Sequence, residues 1–183
     1  MVQTPETWVF AYGSLMWRPG FPYLRCESAL LRGYHRAFCV LSTTYRGTPK
    51  KPGLVLGLDR GGSCRGRAFK IAAKRADSVL AYLWERELDT NVYEPKWLPV
   101  ATPVGEVRAC AFVVDRLHAH YTGRLANARI AEIVASTRGN QGTAHEYLEN
   151  TVAHLDSLGI REGALHRILE EVRALVAERG ARR

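Results

Sequence analysis

Trp8-Val9-Phe10-Ala11 runs directly into Tyr12-Gly13-Ser14-Leu15-Met16-Trp17, and the chain then turns through Arg18-Pro19-Gly20. The first four residues read as a short strand, and the six after them as a tight turn leaving its end. Gly13 offers backbone freedom and lets a ligand come near the main chain, while Ser14 sets a hydroxyl beside the amides. Such a turn is a cradle for a carboxylate or an oxyanion. Taken alone it reads rather as an ordinary strand-to-loop transition, so the rest of the chain has to decide.

Outward from this turn, short runs rich in aromatic and branched residues mark strands over residues 8–12, 34–42, 54–58 and 65–71. Asp59-Arg60-Gly61-Gly62-Ser63 is expected to join the last two as a hairpin. A helix over 76–88 follows, with Val79, Leu80, Leu83 and Trp84 at helical spacing and Asp77 as its cap. Strands over 96–101 and 107–114 flank a Pro103-Val104-Gly105 turn and are expected to pair antiparallel. From Arg124 onward the spacing is helical, over 128–136, 144–158 and 162–179, with breaks at Gly139, Gly142 and Gly159. No linker, repeat or low-complexity tract divides the chain, so the expectation is one α+β domain over residues 1–183. Its sheet should be mostly antiparallel and curved or barrel-like, with a helix set into it and helices at the C-terminal end.

At 183 residues and 46% hydrophobic content the chain can bury about 70% of its unfolded surface, without disulfide or metal. No apolar run has the length of a membrane span, and Gln3, Thr4, Pro5 and Glu6 do not open a signal peptide. Cys26, Cys39, Cys64 and Cys110 form no Cys-x-x-Cys pair and read as reduced core thiols, which points to a cytoplasmic location. The net charge of +8 raises nucleic acid as a partner, but the cations are scattered and not interleaved with aromatics. A solvated basic surface that could draw in an anionic small molecule fits better.

The inserted helix carries Glu85 and Glu87, which point roughly 200° apart. Val79, Leu83 and Glu87 share one stripe, so Glu87 lies on the core side and Glu85 on the wet side. A carboxylate placed there is either paired, with Arg86 or Lys96 for instance, or holds its proton more tightly, as a general base that later returns it must. Spacing alone leaves both readings open. Ser14 lacks a nucleophile elbow, His118, His120, His145, His154 and His166 match no metal-ligand spacing, and the glycines form no phosphate loop. Neither metal nor nucleotide cofactor is expected.

Residues 10–23, from Phe10-Ala11-Tyr12-Gly13-Ser14-Leu15-Met16-Trp17 through Arg18-Pro19-Gly20-Phe21-Pro22-Tyr23, resemble the opening signature of the γ-glutamylcyclotransferases, in their ChaC-like, glutathione-specific branch. Gly33-Tyr34-His35-Arg36-Ala37-Phe38 resembles the next strand, and Arg46-Gly47-Thr48-Pro49 with Lys51-Pro52-Gly53 resembles the loop after it. Arg86-Glu87 matches the pair that carries the family's catalytic acid. Tyr121-Thr122-Gly123, Gly139 to Gly142 and Glu146-Tyr147-Leu148 are similar to its late Gly-rich turn and substrate-side tyrosine.

The resemblance implies cyclisation of a γ-glutamyl group to 5-oxoproline, releasing Cys-Gly from glutathione, with no cofactor. It gives Glu87 the acid/base role and makes Tyr12, Gly13, Ser14, Leu15, Met16, Trp17 and Tyr147 substrate-binding residues. Thr44-Tyr45 departs from the family's Asp-His, and Leu88-Asp89-Thr90-Asn91-Val92-Tyr93 departs from the animal Lys-Gly-Gly-Tyr, as in a bacterial-type variant. Both bear on substrate choice. Other γ-glutamyl amino acids or amines remain alternative substrates, and a non-catalytic protein binding through its basic surface is the alternative from another class. Neither nucleic acid nor membrane is an expected partner, and the sequence leaves oligomeric state open.

Overall fold

The protein is described from a computed structural model that covers residues 6–87 and 91–181. In chain order it has β1 (Thr7–Ala11), β2 (Arg25–Ser42), β3 (Gly53–Ile71), α1 (Ala76–Glu87), β4 (Tyr93–Thr102), β5 (Gly105–Val114), α2 (Asn127–Val134), a two-residue ladder at 138–143, α3 (Ala144–Ser157) and α4 (Gly163–Ala181). The chain forms two compact units, one of residues up to Ala37 with Gly57–His118, the other of Phe38–Leu56 with the chain from Ala119 onward.

The five long strands close a barrel in the order β1-β3-β2-β4-β5. β1 runs antiparallel to β3, with Thr7 opposite Ile71 and Ala11 opposite Arg67. β1 also runs parallel to β5, with Val9 opposite Cys110. The mostly antiparallel barrel expected from the sequence is therefore present, with one parallel seam. β4 and β5 form the expected antiparallel pair, turning between Thr102 and Gly105.

Two expectations about the strands need correction. β3 is one continuous strand, so Asp59–Ser63 is not a hairpin. Gly61 and Gly62 take φ of 103° and 66°, backbone that glycine adopts at a bulge or bend inside a strand as readily as in a turn. β2 begins at Arg25, ahead of the expected start, because its first half sets only Ala29 and Leu31 in the core among exposed Arg25, Ser28, Arg32 and Gly33, and so carries little apolar signal.

In the first unit Phe10, Leu31, Leu58, Phe69, Ile71, Phe112 and Val92 are fully buried. α1 joins them through Val79 and Leu83, and Trp84 meets Phe112 edge-on at 5.5 Å. Asp77 lies inside the first turn of α1, preceded by a 3-10 turn over Ala73–Arg75, and is not at the cap position. In the second unit α2, α3 and α4 pack around Ile130, Val134, Leu148, Leu155, Leu169 and Val172. Among the described residues no helix is long and apolar enough to cross a membrane. All four cysteines are free; Cys39, Cys64 and Cys110 are buried as expected, but Cys26 is half-exposed.

Candidate active site

β1 ends at Ala11, and the chain enters a single 3-10 turn over Ser14–Met16. The amides of Met16 and Arg18 fold back onto the carbonyls of Gly13 and Ser14, at 2.9 and 2.8 Å. Those of Gly13, Ser14 and Leu15 find no acceptor among the described residues, as expected of the leading N–H groups of any helical turn. Gly13 has φ of −127°, so it is not required for left-handed backbone. What it provides is room, since a Cβ there would meet nothing within 4 Å. The left-handed glycine of this segment is Gly20, where a Cβ would run into the hydroxyl of Tyr82.

The side chains of Tyr12, Leu15 and Met16 are buried, at 8%, 7% and 7% exposure, whereas Ser14 and Trp17 are half-exposed. A ligand at this turn therefore reaches backbone amides and the Ser14 hydroxyl first. The turn is braced by Arg36, which the reading of the sequence placed only within a strand motif. Its Nε donates to the Tyr12 carbonyl at 2.5 Å and its Nη2 to the Arg65 carbonyl at 2.7 Å. An arginine inside an apolar strand was the available signal, because a buried cation needs several fixed acceptors.

On α1 the two acids face apart as helical geometry requires: Glu85 is exposed and Glu87 half-buried, with 19% of its side chain accessible. Burial raises the proton affinity of Glu87 above the ordinary carboxylate range, and the Arg86 guanidinium, with Nε 3.3 Å from Oε1, opposes that rise. Lys96, the other pairing partner considered, sits 3.1 Å from Glu94 instead. Arg86 also reaches the turn. Its Nη2 donates to Ser14 Oγ at 3.1 Å, and its Nη1 to the Arg18 carbonyl at 2.9 Å and the Tyr82 hydroxyl at 3.0 Å. Glu87 and the Ser14 turn are thus held by one side chain within the first unit.

Tyr147 belongs to α3 in the second unit. Its ring stands edge-on to Phe38 at 6.1 Å, beneath the Arg46 guanidinium, and its hydroxyl accepts from the Leu56 amide at 3.4 Å. Arg46 Nη1 donates to the carbonyls of Gln141 and Thr143 at 2.6 and 3.3 Å, tying the Gly-rich turn to the same knot. α3 starts with a capping box in which Thr143 and Glu146 satisfy each other's amides. Tyr121-Thr122-Gly123 lies beside the end of β2, where Tyr121 bridges Val40. The segment of the second departure lies partly outside the described residues, which resume at Asn91. Among the described residues no three His, Cys, Asp or Glu side chains gather as a metal site.

A family model described as ChaC-like protein matches residues 7–178. The chain is 36% identical over 172 residues to the glutathione-specific γ-glutamylcyclotransferase of Escherichia coli, a match covering 93% of this chain and 74% of that protein. It is 35% identical over 146 residues to glutathione-specific γ-glutamylcyclotransferase 1 of Mus musculus, covering 77% of this chain and 66% of that one. Among solved structures, a yeast γ-glutamylcyclotransferase specific to glutathione superposes with a TM-score of 0.83 at 21% identity, over 93% of this chain and 99% of that one. Barrel, turn and Arg-Glu pair lie within the span matched by the family model, and the chain belongs to the ChaC-like family.

Proposed function

We propose that this protein cyclises the γ-glutamyl group of glutathione, giving 5-oxoproline and Cys-Gly. The observation that carries the reading is Glu87, a half-buried carboxylate with raised proton affinity, tied by Arg86 to a turn with free amides. The relatives named as glutathione-specific supply the substrate.

Glu87 takes a proton from the α-ammonium, and the amine so formed attacks the γ-carbonyl carbon of the same molecule. The new carbon–nitrogen bond closes the five-membered ring, and the amides of Gly13, Ser14 and Leu15 hold the α-carboxylate or the developing oxyanion. Collapse breaks the bond to the cysteinyl nitrogen, which receives from Glu87 the proton first taken. The ring nitrogen, left with two hydrogens by the attack, gives one to the regenerated carboxylate, which passes it to the departing amine, so that 5-oxoproline leaves as the neutral lactam and Cys-Gly as its ammonium. Nucleophile and electrophile belong to one substrate, so the protein mainly has to hold a folded conformer, an effect that can supply roughly 7–11 kcal/mol. No electron is transferred, and a carboxylate suffices to move the proton, so the scheme calls on neither metal nor cofactor. We place Tyr12 and Tyr147 among the substrate-binding residues, and the basic surface as a field that attracts the anionic substrate in the cytoplasm.

Incubation with reduced glutathione, assayed for 5-oxoproline and Cys-Gly, tests the reaction. Glu87→Gln should lower kcat at least about a hundredfold, while Glu85→Gln should change it little. Equal activity in the two variants would overturn the assignment. Thr44-Tyr45 differs from the family's usual pair, which keeps other γ-glutamyl compounds in play. Release rates from glutathione and γ-glutamyl-alanine separate these substrates, and salt-sensitive RNA binding without 5-oxoproline would favour the non-catalytic reading.

A further inference from the structure

The three nitrogens of the Arg86 guanidinium divide their work. Nε faces Glu87 Oε1 at 3.3 Å, Nη1 is held by the Arg18 and Pro19 carbonyls and the Tyr82 hydroxyl, and Nη2 donates to Ser14 Oγ. A planar fork with so many fixed acceptors has little freedom left. Tyr82 is itself wedged against Gly20, where even a Cβ would not fit, and its ring meets Phe21 edge-on at 6.4 Å.

The hydrogen bond to Ser14 has a chemical consequence. A serine hydroxyl that accepts from a guanidinium keeps its own hydrogen for another acceptor, and the described residues offer Ser14 none. Its hydrogen is therefore available to an anion beside the amides of Gly13, Ser14 and Leu15, and the neighbouring cation polarises it.

We propose that Arg86 is a positioning residue: it makes Ser14 an obligate hydrogen-bond donor to the substrate's carboxylate or oxyanion and fixes that donor's distance from Glu87. This rests on the acid/base role of Glu87 given above. An Asp or Glu in place of Ser14 would satisfy Arg86 but repel the anion, and Ala would lose the donor outright.

The test compares Arg86→Lys, Arg86→Gln, Ser14→Ala and the Arg86→Gln/Ser14→Ala pair by steady-state kinetics with glutathione across pH. Ser14→Ala should lower kcat/KM about ten- to a hundredfold, as loss of a charge-assisted hydrogen bond does. Arg86→Gln on the Ser14→Ala background should cost much less than on the wild type, because the donor it orients is already gone. The charged groups facing the Glu87 carboxyl reduce, among the described residues, to Arg86. Its loss should therefore move the acid limb of the rate profile to higher pH, and Arg86→Lys, which keeps the charge but not the fork, should raise KM and leave that limb in place.

Multiplicative effects of the two single variants, or an unmoved acid limb in Arg86→Gln, would overturn the proposal. If Arg86→Gln does not fold, the contrast between Arg86→Lys and Ser14→Ala still decides it, since equal kcat/KM for Arg86→Lys and wild type would show that the fork is not needed. Failure of the underlying reading is separately visible, as full activity in Glu87→Gln.

Discussion

Arg46 holds the carbon of its guanidinium 5.3 Å from the centre of the Tyr147 ring. From there its Nη1 also donates to the Gln141 and Thr143 carbonyls. The cation thus connects the loop after β2, the Gly-rich turn and the first turn of α3. Arg46→Ala removes the cation–π contact and charge-assisted hydrogen bonds together, and should cost about 2–4 kcal/mol of stability. Tyr147→Phe keeps the ring and removes the hydroxyl that accepts from the Leu56 amide, and should cost about 1 kcal/mol. Urea unfolding of the two variants checks the order; a larger loss in Tyr147→Phe would contradict it.

Glycines in this chain do two different jobs, and alanine separates them. At Gly139 a Cβ would collide with the backbone carbonyls of Thr44 and Tyr45, where nothing flexible can yield. Gly139→Ala should lose about 3 kcal/mol. At Gly13 the same methyl meets open space, so Gly13→Ala should stay within about 1 kcal/mol of wild type. If the turn binds the γ-glutamyl end, that methyl stands where the substrate must come, and KM should rise with the fold intact. Thermal melts beside glutathione kinetics distinguish the cases.

The parts of the fold that follow from local chemistry were readable: the β4–β5 hairpin from its Pro-Val-Gly turn, α1 from apolar spacing, and the separation of Glu85 from Glu87 from helical geometry. Gly61-Gly62 misled because two adjacent glycines satisfy a hairpin turn as well as a bend in a long strand, and only pairing with neighbours chooses between them. The start of β2 was hidden by its exposed arginines. An arginine inside an apolar strand marks Arg36 as a cation in need of acceptors, but which ones it finds, like the several contacts of Arg86, depends on residues distant in sequence, Arg65 for one and Arg18 for the other. The Tyr-Gly-Ser-Leu turn was legible as a cradle, but the reason for its glycine was not: space above the backbone, rather than a left-handed angle.

Thiol reactivity should single out Cys26. It is half-exposed, and Arg67 Nε donates to its sulfur at 3.0 Å, whereas Cys39, Cys64 and Cys110 are buried. Burial pushes the Cys110 thiol up to about 12, which keeps it from forming a thiolate near neutral pH. Iodoacetamide on the native protein, read by mass spectrometry, should label Cys26 first. Comparable labelling of any buried cysteine before unfolding would be the contrary result.

His166 faces an acceptor at both ring nitrogens, with Nδ1 2.9 Å from the Glu162 carbonyl and Nε2 3.1 Å from Asp156 Oδ2. The Glu162 carbonyl first, then Asp156, hold the imidazole's proton, so its pKa lies above the ordinary 6.5. A raised folded value means that its contribution to stability is complete below 6.5 and fades as pH rises through the folded value. Asp156→Asn should bring the titration of His166 downward in an NMR pH series. No movement would show that Asp156 is not among its causes, leaving the Glu162 carbonyl and the charge of Glu170 to set it.

Glu87 makes the opposite kind of statement about an acid. Burial raises its proton affinity, so between the unfolded value near 4.5 and the higher folded value the native state binds more protons than the unfolded chain. Stability from this residue is therefore fully present below 4.5 and is lost as pH climbs through the folded value, the reverse of a salt-bridged carboxylate. A neutral amide of the same shape escapes that loss. Glu87→Gln should unfold at higher denaturant than wild type near neutral pH, and the two should converge in acid. The same carboxyl that weakens the fold at working pH is the one proposed to move the proton, so the variant should gain stability while it loses turnover. A variant that is less stable than wild type at neutral pH would mean that the Arg86 contact outweighs burial, and that Glu87 is held there as half of an ion pair.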